Sequence, residues 1–397
     1  MIFSYLLIAV MPFVHHSLWN ETMIADITLN KYLGMICFLL GLVHYGARST
    51  PLHHLRGPRP CAVESFTCTP MRACTESRLA TGAYDAVVSG IFTAVNLLPV
   101  TPPPIIDFQD AEHVIVRRYT GRERNPLKRA YARVEYRKMR GWEREVCHRS
   151  RAGMACSAVD RDIVTRLCPS LPVTVVSNIV DVPTWSYGEE DPVTVLFQGG
   201  MDWYPNRDAV EFFASAILPA LRARIPAVRF VVAGRNPSPA FRRRLEDVPA
   251  LSVTGTVKDM RPVVAMAAVC VVWLRMGTGT RLKILEAAAM ARLIVSTAIG
   301  AEGLDFADGR DILLADDPRS FAHAVAHVLS SPELRAELGT QARRVVETRY
   351  AFANLRAGVR AALNEAVHRA DACPPPPAGD GAACAAPGRR LPSKGKW

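Results

Sequence analysis

Short apolar runs recur at regular spacing through the second half of the chain, and most of them end in a glycine-containing loop. The runs that predict strands lie at 193–197, 229–233, 251–254, 269–273, 293–297 and 312–314. Amphipathic segments stand between them, the clearest with apolar residues at 210, 213, 217 and 221, which is the spacing of one helix face. Strands that alternate with helices predict βαβ units and a parallel sheet with helices on both faces.

The upstream part of the chain shows a looser form of the same alternation. Strands are predicted at 83–88, 104–108, 153–157 and 172–177, with helical composition from Asp110 to about His148 and a later helix capped by Ser157 or Asp160. Residues 185–192 are polar and turn-rich, which is typical of a linker. The pattern therefore predicts an α/β protein with two domains, at 60–184 and 185–371.

The two ends of the chain differ from this middle part. Within the N-terminal segment 1–59, residues 1–14 and 32–45 form apolar runs, each shorter than the roughly 18 to 20 residues of a spanning helix. The arginines at 48, 56 and 59 favour the cytoplasmic side for that end if the runs form a membrane hairpin. The alternatives are that the runs form a buried helix pair, that the start site of the sequence is wrongly assigned, or that a fragment of another protein is fused ahead of the domain. The tail at 372–397 has four consecutive prolines and predicts disorder.

The composition is typical of a globular protein, and its cysteine usage favours a reducing compartment. Of the 397 residues, 49% are apolar and 21% are charged, which suffices for two ordinary cores. The ten cysteines include no CxxC pair and no histidine at metal-ligand spacing. A disulfide scaffold and a zinc site are therefore both disfavoured.

The net charge of +11 is concentrated in one segment. Residues 115–151 hold thirteen Arg and Lys against four Glu, with aromatic side chains and Met139 among them. Such a surface suits nucleic acid phosphates or anionic lipid headgroups, and it also fits a solvated helix face without a partner. Because the sequence has no recognisable nucleic-acid module, we expect an anionic membrane surface as a partner and no nucleic acid.

The loop after the fourth of the downstream strands carries the most chemistry. Gly277 and Gly279 allow positive φ and a close approach of a ligand to the backbone, and the helix formers that follow begin with Arg281 and Lys283. Unpaired N–H groups at a helix start and two cations together make an anion site. Glu286 offers a carboxylate to a sugar diol, so the set predicts a pocket for a nucleotide diphosphate sugar. Taken alone, the same residues also fit turn chemistry and a solvated helix face.

The downstream motifs, in order, are FQGGMDWYPNRDAVEFF (197–213), VVAGRNPSP (231–239), VTGTVKDMRP (253–262), GTGTRLKILEAAAMARLIVST (277–297), GAEGL (300–304) and a late series up to Tyr350. They resemble the nucleotide-sugar domain of the retaining glycosyltransferases of the GT-B fold, family 4, in the branch used in exopolysaccharide synthesis. Residues 104–110, 135–143, 157–160 and 175–181 more loosely resemble the second part of that family's acceptor domain. The resemblance implies two Rossmann-like domains whose parallel sheets face a cleft, here with a truncated N-terminal domain preceded by an apolar hairpin.

The resemblance also implies roles for individual residues. The donor's ribose would lie on Glu286, its base near the backbone of Val257 and its sugar near Glu302. Arg281 and Lys283 would stabilise the leaving diphosphate without a metal. The remaining donor-site candidates lie in the glycine-containing loops: Gly200, Asn206, Arg235, Gly277, Thr278, Gly279 and Thr280. Asp110, with Asp107 and His113, would face the cleft from the other domain in acceptor or proton-transfer roles.

Two positions depart from the family pattern. Members commonly have two glutamates separated by seven residues; Glu286 matches the second, and Thr278 stands at the first. Many members carry an Arg and a Lys after the first strand of this domain, where this chain has Met201 and Asn206. The acceptor domain is also shorter than a complete one, which would begin with a strand and glycine loop before about residue 60.

The leading hypothesis is a metal-independent hexosyltransferase that needs no cofactor beside its nucleotide-sugar donor. It would act on a lipid-linked or oligosaccharide acceptor in bacterial-type surface polysaccharide synthesis, at the cytoplasmic face of the cell membrane. A non-catalytic nucleotide-sugar-binding relative or subunit is the first alternative. A nucleic-acid-binding protein that uses the basic segment is the second.

Overall fold

The computed structural model describes residues 57–372, except 83, 85, 99–102 and 186–187. The two apolar N-terminal runs and the tail from residue 373 lie outside the described residues, so the hairpin and the disordered tail stay predictions. Within the described part of the chain, no helix combines the length and the apolar character needed to cross a bilayer.

The first of two sheets has four parallel strands in the order β1-β2-β3-β4. They are β1 (Val88–Gly90), β2 (Ile105–Phe108), β3 (Ala152–Ala155) and β4 (Val173–Val175). Three of them fall within or beside the predicted runs. The fourth, β1, begins where the predicted strand ends, because Val88 is the first residue in register with Ile105 of β2.

Two of the helices described in the first domain cover most of the basic segment, residues 115–151. The helices of this domain are α1 (Cys61–Ser65), α2 (Thr69–Leu79), α3 (Glu112–Arg122), α4 (Pro126–His148) and α5 (Ala158–Leu167), with a 3₁₀ turn at Thr93–Asn96. The basic segment is two helices because Asn125 caps α4, accepting from the N–H groups of residues 127 and 128, and Pro126 follows at the first position. Trp142 of α4 is buried in the first core, where its Nε1 donates to the Ile91 carbonyl (3.0 Å).

The second sheet has six parallel strands in the order β10-β9-β8-β5-β6-β7. They are β5 (Asp191–Gln198), β6 (Arg229–Ala233), β7 (Leu251–Gly255), β8 (Ala267–Val272), β9 (Leu293–Ser296) and β10 (Leu313–Leu314). All six predicted runs form strands. Every residue of β8 is buried, as expected for a central parallel strand with helices on both faces.

The helices of the second domain lie on both faces of this sheet. They are α6 (Tyr204–Phe212), a π turn (Phe213–Ile217), α7 (Leu218–Arg224), α8 (Pro239–Leu245), α9 (Arg261–Ala265), α10 (Leu282–Ala289), α11 (Ala298–Ala301), α12 (Pro318–Leu329), α13 (Pro332–Arg349) and α14 (Phe352–Ala372). Helix α14 returns to the first domain, where Ala362 and Ala366 are buried against Ile105 and Met154.

The chain therefore crosses between the sheets twice, once after β4 and once before α14. The two crossing segments lie side by side, since the Val180 N–H donates to the Tyr350 carbonyl oxygen (3.2 Å).

Candidate active site

The loops at the carboxyl ends of the two sheets meet, and the candidate site lies at this junction. In parallel α/β sheets this end of the strands is where ligands bind. The glycine loop, residues 277–280, follows β8 and lies directly against the turn after β2. A Cβ atom placed on Gly279 would be 2.3 Å from the carbonyl oxygen of Gln109 and 2.6 Å from Asp110 Oδ1. Only a glycine permits the two domains to touch this closely at position 279, where φ is +73°.

Thr278 ties the glycine loop to the first domain. The Ala111 N–H donates to Thr278 Oγ1 (3.0 Å), and this hydroxyl also lies 3.2 Å from Asp110 Oδ1, to which it donates. Thr278 is 1% exposed. The position at which the family pattern has its first glutamate is therefore a buried interdomain contact in this chain.

Asp160 and Asn178 reach the same loop from the first domain. The Gly279 N–H donates to Asp160 Oδ1 (3.3 Å), and Asn178 Nδ2 donates to Thr280 Oγ1 (2.7 Å). Sequence analysis does not place either residue in the site, although both stand in segments that resemble the family's acceptor domain. That local resemblance is the signal that points to them.

Arg281 lies at the N-cap of α10 and is only 5% exposed. Its Nη1 donates to the carbonyl oxygens of Thr278 and Gly279, whereas its Nε and Nη2 have no hydrogen-bond partner among the described residues. Burial lowers the pKa of Arg281, and the neighbouring carboxylates of Asp110 and Asp160 act in the opposite direction. A guanidinium with unused donors beside a glycine loop is suited to a phosphate group.

Lys283, in the first turn of α10, points back to the loop after β5. Its Nζ donates to Asn206 Oδ1 (2.8 Å) and lies 4.2 Å from the centroid of the Phe197 ring, a cation–π distance. Burial lowers the pKa of Lys283 to about 7; the nearby charge of Arg281 lowers it further and that of Glu286 raises it. The lysine thus brings its ammonium to the loop where the family pattern has cations of its own.

Glu286 lies one turn further along α10 and bonds to β5 rather than to a neighbouring cation. Gln198 Nε2 donates to Glu286 Oε2 (2.9 Å). Burial raises the pKa of Glu286 to about 7, and the charge of Lys283 lowers it. The carboxylate is oriented by a residue at the end of the strand, which sequence analysis does not assign to the site.

The other predicted donor-site residues lie along the carboxyl ends of the strands of the second sheet. Asn206 Nδ2 donates to the Gly200 carbonyl oxygen (2.8 Å), which joins both residues to Lys283. Arg235, after β6, lies 3.3 Å from Asp202 on the rim. Val257 lies in the loop after β7, the edge strand of the sheet. These residues lie on one side of the glycine loop, after β5, β6 and β7, with Val257 the most distant along the sheet.

Glu302 follows α11 and receives a side chain from the first domain. Arg118 of α3 donates from Nη1 to Glu302 Oε2 (2.7 Å) and from Nη2 to Oε1 (2.8 Å), and its Nη1 also donates to the Gly277 carbonyl oxygen. Nothing in the sequence separates Arg118 from the other basic residues of its segment, so sequence analysis misses it.

Asp110 is the acceptor-side carboxyl that the structure brings into the cluster. Burial raises its pKa to about 7, while Arg281 lowers it, Asp160 raises it and the hydrogen bond from Thr278 lowers it. A carboxyl group with a pKa near neutrality can accept and release a proton at working pH.

The other two acceptor-side candidates lie differently. Burial raises the pKa of Asp107 to about 6, and the hydrogen bond from Gln109 Nε2 (2.7 Å) lowers it. His113 is buried on α3, where its ring pairs with Glu143 of α4. The structure therefore assigns His113 to the core of the first domain and not to the cleft.

The pKa shifts of Glu286, Asp110 and Lys283 predict that the contribution of these three groups to the free energy of unfolding passes through a minimum near pH 7. Glu286 and Asp110 bind protons more tightly in the folded protein, so stability falls as the pH rises from the ordinary carboxyl range to about 7. Lys283 binds its proton less tightly when folded, so stability rises again from about pH 7 to the ordinary lysine range. Urea unfolding at about pH 5, 7 and 9 measures this. Lys283→Met should remove the rise above neutrality, and the exposed Lys258→Met should not.

Comparison with known proteins identifies the fold. Residues 192–331 match the family model for glycosyl transferases group 1, and no curated protein is significantly similar in sequence. TarM of S. aureus superposes with a TM-score of 0.60 at 14% identity, over 74% of this chain and 58% of TarM. HepE of Anabaena, solved with UDP and glucose, gives 0.57 at 11% identity over 74% and 81%. A glycosyltransferase from Rickettsia africae gives 0.51 at 10% identity over 75% and 80%.

The fold is GT-B-like. The predicted α/β class and parallel sheets are thereby confirmed, and the group 1 match falls on the second sheet and its helices. The chain spans less than two thirds of the length of TarM. In this GT-B-like frame the glycine loop, Arg281, Lys283 and Glu286 all lie in the second domain, and Asp110, Arg118, Asp160 and Asn178 meet them from the first.

Proposed function

We propose that the protein is a glycosyltransferase that moves a sugar from a nucleotide diphosphate sugar to a saccharide acceptor, with retention of configuration. The observation that carries this proposal is the start of α10. There a buried guanidinium with unused donors and the ammonium of Lys283 flank a glycine loop, and the oriented carboxylate of Glu286 follows one turn later. An anionic diphosphate and a diol are the ligands that this combination recognises.

In the proposed reaction the bond between the sugar's anomeric carbon and the diphosphate oxygen breaks, and the acceptor oxygen bonds to the same carbon from the same face. Negative charge grows on the departing diphosphate. Arg281 and Lys283 stabilise this charge, in the place that a metal ion takes in other transferases. The acceptor hydroxyl loses its proton to a departing phosphate oxygen or to Asp110, whose pKa of about 7 suits either direction of transfer.

Uridine diphosphate sugars are the first donors to try. HepE was solved with UDP-glucose and with UDP and glucose, and a TarM variant with UDP and alpha-GlcNAc-glycerol. A hexose is therefore the proposed transferred group. The matched region of those proteins includes the domain that carries Glu286 here, which supports a similar position for the nucleotide.

A lipid-linked acceptor at the inner face of a cell membrane is proposed from the first domain's surface. Helices α3 and α4 hold most of the basic residues of the 115–151 segment. Between them lies an open groove of about 570 Å³, lined mainly by apolar and aromatic side chains that include Val116, Tyr119 and Met139. Leu127 at its rim is 80% exposed. Apolar side chains surrounded by cations suit an anionic lipid surface, and surface polysaccharide synthesis is a process that offers such acceptors.

Donor binding and turnover test the proposal. Calorimetry over a panel of UDP-, GDP- and ADP-sugars should find one donor that binds, and nucleotide diphosphate should be released when acceptor lipids are added. Glu286→Gln should weaken nucleotide binding about ten-fold or more, since a charged hydrogen-bond acceptor is lost. The exposed Glu337→Gln is the matched control and should bind as the wild type does. A wild type that binds none of the donors would contradict the proposal.

A nucleotide-sugar-binding protein without catalysis is the second candidate. It is favoured by the direct contact of the glycine loop with Gln109 and Asp110 of the first domain, and by Thr278 at the position of the family's first glutamate. Selective donor binding without release of nucleotide, with saccharide and lipid acceptors both present, would decide for this candidate.

A further inference from the structure

A single arginine from the first domain contacts two predicted donor-binding positions in the second. Arg118 bonds both oxygens of Glu302 (2.7 and 2.8 Å) and the carbonyl oxygen of Gly277. The two side chains are 23% and 28% exposed, so the pair is partly shielded from water. A bidentate, charge-assisted pair of this kind fixes the relative position of the groups that carry it.

We propose that Arg118 is a donor-binding residue that the first domain supplies to the site in the second domain. In the unliganded protein it is held by Glu302; when the donor's sugar hydroxyls occupy Glu302, its guanidinium bonds the donor's diphosphate. This inference rests on the proposed function and adds to it a residue that closes the two domains on the donor.

The guanidinium of Arg118 lies at the glycine loop. Its contact with the Gly277 carbonyl places it at the loop over which the diphosphate is proposed to lie. Arg281 Nη2 approaches the same residue, since a Cβ on Gly277 would lie 2.7 Å from it. Two guanidinium groups, one from each domain, thus lie against Gly277. A dianion bound at this residue would be within reach of both.

Arg118 and the donor's sugar would compete for Glu302. Arg118 engages both carboxylate oxygens along their open edge, which is the geometry a sugar diol also uses. A sugar that binds Glu302 in this way displaces the arginine. The displaced guanidinium would be left partly buried without an anion, unless the diphosphate that arrives with the sugar replaces the lost partner.

The loop after β5 lacks the two cations that many family members carry there. The loop after β5 has Met201 and Asn206 where the resemblance predicts two cations, and Lys283 supplies one ammonium beside Asn206. Arg118 supplies a second cation, at the Gly277 carbonyl oxygen of the glycine loop. Its position on α3 means that this cation is present only when the two domains are together.

Binding of UDP and of the UDP-sugar selected by the donor panel tests the inference. Arg118→Ala should weaken the UDP-sugar about ten- to hundred-fold, as expected for a lost charged hydrogen bond, and should weaken UDP less, because Arg118 stays on Glu302 when no sugar displaces it. Arg118→Lys, which keeps the charge but loses the bidentate geometry, should fall between it and the wild type. Glu302→Gln should weaken the UDP-sugar and leave UDP unchanged or tighter. Arg117→Ala, an exposed arginine on the same helix, is the matched control and should change neither ligand.

A charge-swapped double variant separates donor binding from a merely structural ion pair. Arg118→Glu combined with Glu302→Arg should keep an interdomain pair and the wild-type melting temperature, and should bind the UDP-sugar more weakly than Glu302→Gln does. UDP-sugar binding by the swap equal to that of Glu302→Gln would overturn the inference, as would wild-type UDP-sugar affinity in Arg118→Ala. Both of these results leave the proposed function intact. Absence of donor binding by the wild type would instead overturn the proposed function and this inference with it.

Discussion

Replacing Arg281 with methionine should lower turnover about a hundred- to a thousand-fold, the loss typical of one preorganised group that stabilises transition-state charge. The guanidinium is buried at the start of α10, and its Nε and Nη2 have no hydrogen-bond partner among the described residues; in the proposed function they bond the leaving diphosphate. Methionine keeps the volume and the helix and removes only the charge and the donors.

The same substitution should also lower the free energy of unfolding at neutral pH, because Asp110 and Asp160 lose a nearby cation. Rates from single-turnover assays and urea unfolding curves separate the two effects. Arg222→Met, an exposed arginine of α7, should change neither quantity. Turnover within about three-fold of the wild type in Arg281→Met would mean that the leaving group is stabilised elsewhere.

Replacing Gly279 with alanine should abolish measurable turnover and leave weakened nucleotide binding, because the second domain keeps its own residues but Arg118 no longer reaches the nucleotide. The new Cβ would lie 2.3 Å from the Gln109 carbonyl oxygen, which belongs to the other domain, so the domains cannot meet as they do in the wild type. The nucleotide-binding residues of the second domain keep their own contacts. Turnover needs the acceptor side in place, and a displacement of about 1 Å is enough to reduce a rate about a hundred-fold.

Gly309→Ala is a close control for this prediction. Gly309 has φ of +74°, against +73° at Gly279, and no heavy atom lies within 4 Å of the position of its Cβ. Both variants should lose about 1 kcal/mol from the strained backbone. Only Gly279→Ala should lose turnover and show a larger radius of gyration in solution scattering. Equal behaviour of the two variants would show that backbone strain, and not contact between domains, limits the site.

Continuous apolar runs explain why the second sheet was predictable. Each of β5, β6, β8 and β9 is buried along most of its length, and its sequence shows that burial directly, whereas β7, an edge strand, is buried only at Gly255. The limits of β1 were not predictable, because register with β2 decides where a short edge strand begins. The break between α3 and α4 was readable at Asn125 and Pro126, a capping residue followed by proline, inside a segment whose composition is helical throughout.

The candidate site divides in the same way. Gly277, Arg281, Lys283 and Glu286 lie within one loop and the helix that follows, so their grouping is a local property that the sequence displays. Arg118 stands 159 positions before the residue whose carbonyl it contacts. Its role depends on how two separately formed domains meet, and no local pattern records that.

The paired crossings beside Val180 and Tyr350 are where the chain passes between the domains, and a hydrogen bond joins them. We expect the domains to turn about this point when they separate, so that the displacement grows with distance from it. Arg118 and Glu302 would part by a swing of one domain rather than by a general loosening, so the cleft should open as a wedge whose narrow end is at the crossings.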